Sequence, residues 1–269
     1  MNKYIEKLRK KITLIKSIRY KYLIYGSIVI VEKGSSLLIK KHCKIYKSKI
    51  VVKGNYKVII SDNCQIQKST LAFFSANNLN ESIIGSHTSF SNVKLQCYGQ
   101  FKCGEWNIFD QCNEEPMLTT FKGSLLIGHH NRFKNKFWIR FNAKIIIGNY
   151  NNINERSWLR ADELIEIGDY NKISYDVKIW DTNTHNIYSP QKRRMLTEKY
   201  FPFFGYETEK PVTKPIIIKS DCWIAQNVAI FKGSELGEHV TLGFGTFLSN
   251  KKIPSNTTVV NKTELRLIQ

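Results

Sequence analysis

The sequence predicts an all-β fold, a parallel β-helix of stacked triangular coils, and three observations predict it. Ile127-Gly128, Ile147-Gly148 and Ile167-Gly168 recur every 20 residues. Between them fall Phe133 and Ile139, Ile153 and Leu159, then Ile173 and Ile179, so apolar residues follow at spacings of 6, 6 and 8. Farther on, Ile218, Ile224, Ile230, Leu236, Leu242 and Leu248 keep a strict spacing of 6. A period of six matches neither the helical period of about 3.6 nor the strand period of about 2. It suits short strands joined by tight bends, each strand sending one apolar residue inward and three strands completing a coil. One coil cannot bury its own interior, so coils must stack. An antiparallel sandwich of short strands is the competing arrangement, but it has no reason to repeat Ile-Gly at constant spacing.

Weaker versions of the pattern extend upstream. Ile39, Ile60, Ile84 and Cys103 are expected coil starts, separated by 21, 24 and 19 residues. About nine coils at roughly 4.8 Å each give a stack on the order of 43 Å long. Three regions follow: an N-terminal segment 1–26, the β-helix over 27–250 and a tail over 251–269. In the first, Ile5, Leu8, Ile12 and Ile15 form a helical stripe opposite Lys3, Lys7, Lys10 and Lys11. Such a basic amphipathic helix would cap the open end of the stack, or lie against an anionic membrane. Residues 186–215 carry four of the six prolines and the cluster Lys192-Arg193-Arg194. They interrupt the repeat just after His185, and a long loop extruded from a rigid scaffold is commonly a binding element.

Composition narrows the classes. The 269 residues are 42% apolar and 23% charged, as in ordinary globular proteins. No uninterrupted apolar run is long enough to span a bilayer. The N-terminal segment lacks the apolar region and cleavage site of a secretory signal. Six scattered cysteines without a CxxC pair suggest neither a zinc knuckle nor a redox motif, and they fit a reducing compartment. A cytoplasmic location is expected, with the inner face of the membrane as a further place. The formal charge of +19 favours polyanionic partners. No nucleic-acid partner is expected, since no nucleic-acid module appears and charge alone gives only nonspecific, salt-sensitive attraction.

At Asp181-Thr182-Asn183-Thr184-His185 the chain begins an ordered series. It continues through the loop ending at Pro215, Trp223-Ile224-Ala225, Gly233, Leu242-Gly243-Phe244-Gly245 and Ile253-Pro254-Ser255-Asn256. The series resembles the hexapeptide-repeat acetyltransferases, the galactoside and maltose type and the capsule polysaccharide O-acetyltransferases that modify sialic-acid polymers. The likeness covers most of residues 127–256. It implies a left-handed β-helix, a homotrimer, acetyl-CoA as acyl donor and an active site between neighbouring subunits. It places the family's histidine on His185 as general base and the cleft tryptophan on Trp223, where cofactor and substrate meet. Ala225 and Gly243 would line the pantetheine channel, Lys251 and Lys252 would meet the CoA phosphates, and Asn154 would stand near the acceptor hydroxyl. The usual Gly-Asn-Pro after Ile-Pro is replaced by a run through Asn261-Lys262-Thr263-Glu264, which leaves the adenine contacts unassigned.

The residue types suit this chemistry. A sugar hydroxyl is a weak nucleophile, and a histidine of unperturbed pKa near 6.5 removes its proton efficiently at neutral pH. Asp181 is a candidate to orient His185 by its proximity in sequence. The remaining histidines, at 42, 87, 129, 130 and 239, read as exposed turn residues, and no suitable close pair accompanies His185, so no metal site is expected. The charge and the Lys192-Arg193-Arg194 loop point to an acidic carbohydrate acceptor, a capsular or lipopolysaccharide chain. The alternatives are a small sugar or nucleotide-linked amino sugar as acceptor, and a β-helix that binds polyanions without catalysis.

Overall fold

The computed structural model describes residues 23–75, 81–110, 116–202 and 209–262. The stripe Ile5 to Ile15 therefore lies outside the described residues. Strands come in triplets, beginning with Leu23–Tyr25, Ile28–Val31 and Ser36–Ile39. Each pairs in parallel with the strand one coil on: Leu23 faces Lys44, Ile28 faces Lys49 and Ser36 faces Lys57. Three parallel ladders result, and the protein is a β-solenoid. The first ladder has eleven strands, so its ten steps of about 4.8 Å make a stack of roughly 48 Å. That is longer than nine coils. Pairing already starts at Leu23 and continues through Lys252–Ile253 and Thr258–Val259, beyond the last residue of the strict six-residue period.

The core follows from the sequence period. Ile39, Ile60, Ile84, Cys103, Ile127, Ile147, Ile167, Ile218, Leu236 and Ile253 face one another in unbroken succession on the third ladder. All four upstream coil starts belong to this column. The register passes from Ile167 directly to Ile218. The intervening excursion thus leaves the scaffold without disturbing it.

The Ile-Gly repeat has a steric cause. A Cβ at Gly148 would lie 2.1 Å from Asp169 Oδ1 and 2.9 Å from the Gly168 carbonyl, because the next coil passes there. Three residues after each glycine comes a buried asparagine: Asn107, Asn131, Asn151 and Asn171. The main-chain N–H of each donates to the Oδ1 of the one before, at 3.0, 2.8 and 2.9 Å, and Cys222 N–H closes the series on Asn171 at 2.8 Å. At a bend where coil-to-coil backbone pairing lapses, these side chains supply the missing acceptor. Two strands depart from the short pattern. Lys94–Cys103 and Leu118–Ile127 each run ten residues from the second ladder into the third, with a register irregularity between Tyr98 and Gln100.

Candidate functional site

The excursion that carries His185 leaves the second ladder after the strand Lys178–Trp180 and returns before Ile216–Ile218. Its two ends are zipped together. Thr182 bridges Thr213, Asn183 N–H donates to the Val212 carbonyl at 3.1 Å, and Lys214 N–H donates to the Asp181 carbonyl at 3.0 Å. The interior is not a plain loop, for Pro190–Tyr200 form a helix. Ser189 caps it by accepting from Lys192 N–H, and Pro190 in the first turn suits its fixed φ. The Lys192-Arg193-Arg194 cluster therefore sits on a helix. Lys192 is paired with Glu209 at 3.1 Å and lies 4.3 Å from the Tyr188 ring centroid. Arg193 and Arg194 line a shallow hollow with Pro190, Thr197 and Glu198.

His185 is exposed at the start of the excursion, four residues beyond the buried Asp181. Its Nδ1 lies 3.3 Å from the Asn186 carbonyl oxygen. A carbonyl only accepts, so Nδ1 is the donor in this contact and the basic lone pair falls on Nε2. Asp181 is spent on the scaffold. Its carboxylate accepts the main-chain N–H groups of Asp162, Glu163 and Leu164 at 2.8, 2.7 and 2.7 Å. It fixes the bend that leads into the third-ladder strand Leu164–Ile167.

The other residues singled out by sequence lie elsewhere on the solenoid. Trp223 projects from the first ladder between Lys172 and Thr241, 63% exposed. Asn154, Ala225 and Gly243 stand at one bend, between the first and second ladders. Asn154 N–H donates to the Ile173 carbonyl, Ser174 N–H to Ile224, Ala225 N–H to Leu242 and Gly243 N–H to Val259. These four residues make a column on successive coils, small at its last three places. Lys251 and Lys252 are exposed at the bend between the second and third ladders, on the side of the His185 excursion, and Lys252 pairs with Glu235 at 2.9 Å. Thus the chain gathers Asn154, Ala225 and Gly243 at one bend and His185 at the next. Between them lies the whole second ladder, on the order of 15–20 Å wide at 3.3 Å per residue.

That face is aromatic. Trp138 stacks on Trp158 with centroids 5.7 Å apart, Trp158 meets Trp180 edge-on at 5.0 Å, and Phe231 follows at 5.8 Å and Phe247 at a further 5.3 Å. On the same face the cations of Arg160 and Arg140 lie over Trp138, 4.4 and 5.1 Å from its centroid. Sequence reasoning passed over Arg140, Arg160 and Asp162. Their one signal is three charges at places where neighbouring coils carry core residues or bends, within Trp-Ile-Arg and Trp-Leu-Arg-Ala-Asp. Among the described residues no group of three His, Cys, Asp or Glu side chains is arranged to hold a metal ion, and no helix is long and apolar enough to cross a membrane.

Fold and exposed histidine together define a parallel β-solenoid with a braced loop at one bend. No protein-family model matches the chain, and no curated protein does. Among solved structures it is similar to the polySia-specific acetyltransferase NeuO, with 17% identity, 94% of this chain and 81% of that one covered, and a TM-score of 0.41. It is also similar to the polysialic acid O-acetyltransferase OatWY, with 17% identity, 88% and 85% covered, and a TM-score of 0.41. Neither likeness assigns a role to any residue of this chain.

Asp181 gives the site a pH signature. Burial pushes its carboxyl up to about 6, against the opposing pull of the three N–H donors. A carboxyl raised above its unfolded value of about 3.9 favours folding fully below that value, and the contribution is lost as pH rises through about 6. The stability difference between wild type and Asp181→Ala is therefore expected to shrink by up to about 3 kcal/mol from pH 4 to pH 7. Denaturant melts of both proteins across that range measure it, and a difference that stays flat would contradict the assignment.

Proposed function

We propose that the protein is an O-acetyltransferase that moves the acetyl group of acetyl-CoA onto a hydroxyl of an acidic surface polysaccharide. The observation that carries this reading is His185 itself: an exposed imidazole, basic at Nε2, on a loop whose ends are zipped to a rigid scaffold. Nε2 takes the proton of the acceptor hydroxyl as its oxygen attacks the thioester carbonyl. The C–S bond then breaks, and the proton passes from the imidazolium to the leaving sulfur, giving ester and free thiol. No protein nucleophile is needed. The small column Ser174, Ala225 and Gly243 leaves room for a narrow chain such as pantetheine to lie along the bend. Asn154 on the same column offers an amide to the acceptor or the developing oxyanion.

Since His185 and this column stand a face apart in one chain, the complete site draws the histidine from one subunit and the column from its neighbour. The aromatic face between them suits burial against a second copy, and a closed trimer supplies three equivalent sites. The charge of +19 and the arginines of the 190–200 helix favour an anionic acceptor.

Incubation with acetyl-CoA and a panel of acidic polysaccharides, neutral polysaccharides and small sugars tests the reading. Thiol release and an acetyl mass gain on the acidic polymers are expected, weakening as salt screens the attraction. Transfer to small sugars alone would defeat the polymeric acceptor. No thiol release with any acceptor, alongside binding of acidic polymers, would make the protein a binding module.

A further inference from the structure

Two buried arginines meet at the residue before His185. Arg160 Nη2 donates to the Thr184 carbonyl at 3.0 Å, and Arg140 Nη2 donates to the same oxygen at 3.3 Å. Arg140 is itself gripped by Asp162, through Nε at 2.8 Å and Nη2 at 2.6 Å. Arg140 and Arg160 are only 5% and 6% exposed and Asp162 is fully buried. Asp162 in turn stands on the bend that Asp181 holds through three main-chain N–H groups. The contacts form one path from the scaffold to the loop: Asp181 to the 162–164 bend, Asp162 to Arg140, and both arginines to Thr184.

Stability alone does not account for this arrangement. A buried ion pair is no more stabilising than apolar residues of similar volume and is often less so. Arg140 Nη1 is also buried with no hydrogen-bond partner among the described residues, which costs stability. Thr184 adds strain, for it sits at φ 71, where a β-branched residue is disfavoured. Three contacts hold it there: the two arginines on its carbonyl, and Thr182 Oγ1, which accepts its N–H at 3.1 Å.

We propose that Arg140 and Arg160 are positioning residues for His185, clamping the Thr184 carbonyl so that the imidazole is held in one direction at the edge of the solenoid. The proposal rests on the reading of His185 as the base. It adds that the base is aimed by cations from the two preceding coils. A displacement of about 1 Å in a reacting group costs about 10²-fold in rate, so loss of the clamp acts on kcat and leaves binding intact.

The test compares Arg140→Met, Arg160→Met and Arg160→Lys by kcat, by KM for acetyl-CoA and acceptor, and by hydrogen exchange of the peptide covering 182–188. The methionine variants are expected to lose roughly 10- to 100-fold in kcat with KM within about twofold. Exchange over 182–188 accelerates while the coils over 218–248 keep their protection. Arg160→Lys, which restores a charged donor, falls between wild type and Arg160→Met. Wild-type kcat in both methionine variants overturns the proposal, as does faster exchange in every coil with kcat and KM moving together. If Arg140→Met fails to fold, the two Arg160 variants still decide it. His185→Ala run in parallel separates the failures. Full activity there removes the base itself, whereas an inactive His185→Ala beside fully active arginine variants removes only the clamp.

Discussion

Replacement of His185 by alanine is expected to lower kcat for acetyl transfer by about 10²–10⁴-fold while leaving the melting temperature within a degree or two of wild type. The two halves of this expectation have different causes. The rate falls because the acceptor hydroxyl, with a pKa far above neutrality, must lose its proton as it attacks, and water or hydroxide then has to take it. Stability holds because the side chain is exposed, and its hydrogen bond to Asn186 is long. KM for acetyl-CoA is expected to change little, since His185 acts on the acceptor hydroxyl and other residues are proposed to hold the pantetheine and the phosphates. The residual rate should climb with pH where the wild-type rate has levelled off, because hydroxide replaces the missing base. Initial rates of thiol release from pH 5.5 to 9 measure all of this. A variant within threefold of wild type at neutral pH would end the general-base assignment.

The second large effect is a recovery. His185→Ala and Ala225→Trp are each expected to be nearly inactive, the first for want of a base and the second because an indole fills the small column beside Gly243. Co-expressed in equal amounts, they are expected to regain about a quarter of the wild-type activity per site. In the proposed cyclic trimer each site would take its histidine from one subunit and its column from the next. With random assembly each half is intact in about half of the sites, so about one site in four has both. The unfractionated mixture is assayed for this quarter. Differently tagged subunits then allow mixed trimers to be purified, in which about one site in three is expected to be intact because the two unmixed trimers are removed. Activity no greater than the sum of the two single variants would mean that histidine and column do not meet across a subunit boundary.

The fold was legible in the sequence to an unusual depth because a solenoid writes its register into local spacing. The isoleucines at 39, 60 and 84 could be placed with Cys103 and Ile127 in one column, since the same bend geometry recurs in each coil. The first and last coils were harder. At the start, Leu23 to Val31 is an apolar run interrupted only by Gly26 and Ser27, so its periodicity is masked. At the end, the step from Leu248 to Ile253 is five residues, which hides one more coil. The site divides the same way. His185 is singled out as a candidate by its neighbours in sequence. The clamp on Thr184 depends on side chains that are 24 and 44 residues away and come together only when coils stack. The helix at Pro190–Tyr200 was also missed: proline at its first position reads as a loop signal until Ser189 is recognised as its cap.

The closure of the 181–214 segment on itself has an evolutionary corollary. Two main-chain bonds and a bridge at its neck isolate whatever lies beyond from the stacking of Ile167 on Ile218. Insertions past the neck add only a slowly growing entropy of ring closure, about 0.6 kcal/mol for each doubling of length. This one appendage can therefore be lengthened, trimmed or recharged, while the neck and the scaffold below it are inherited unchanged.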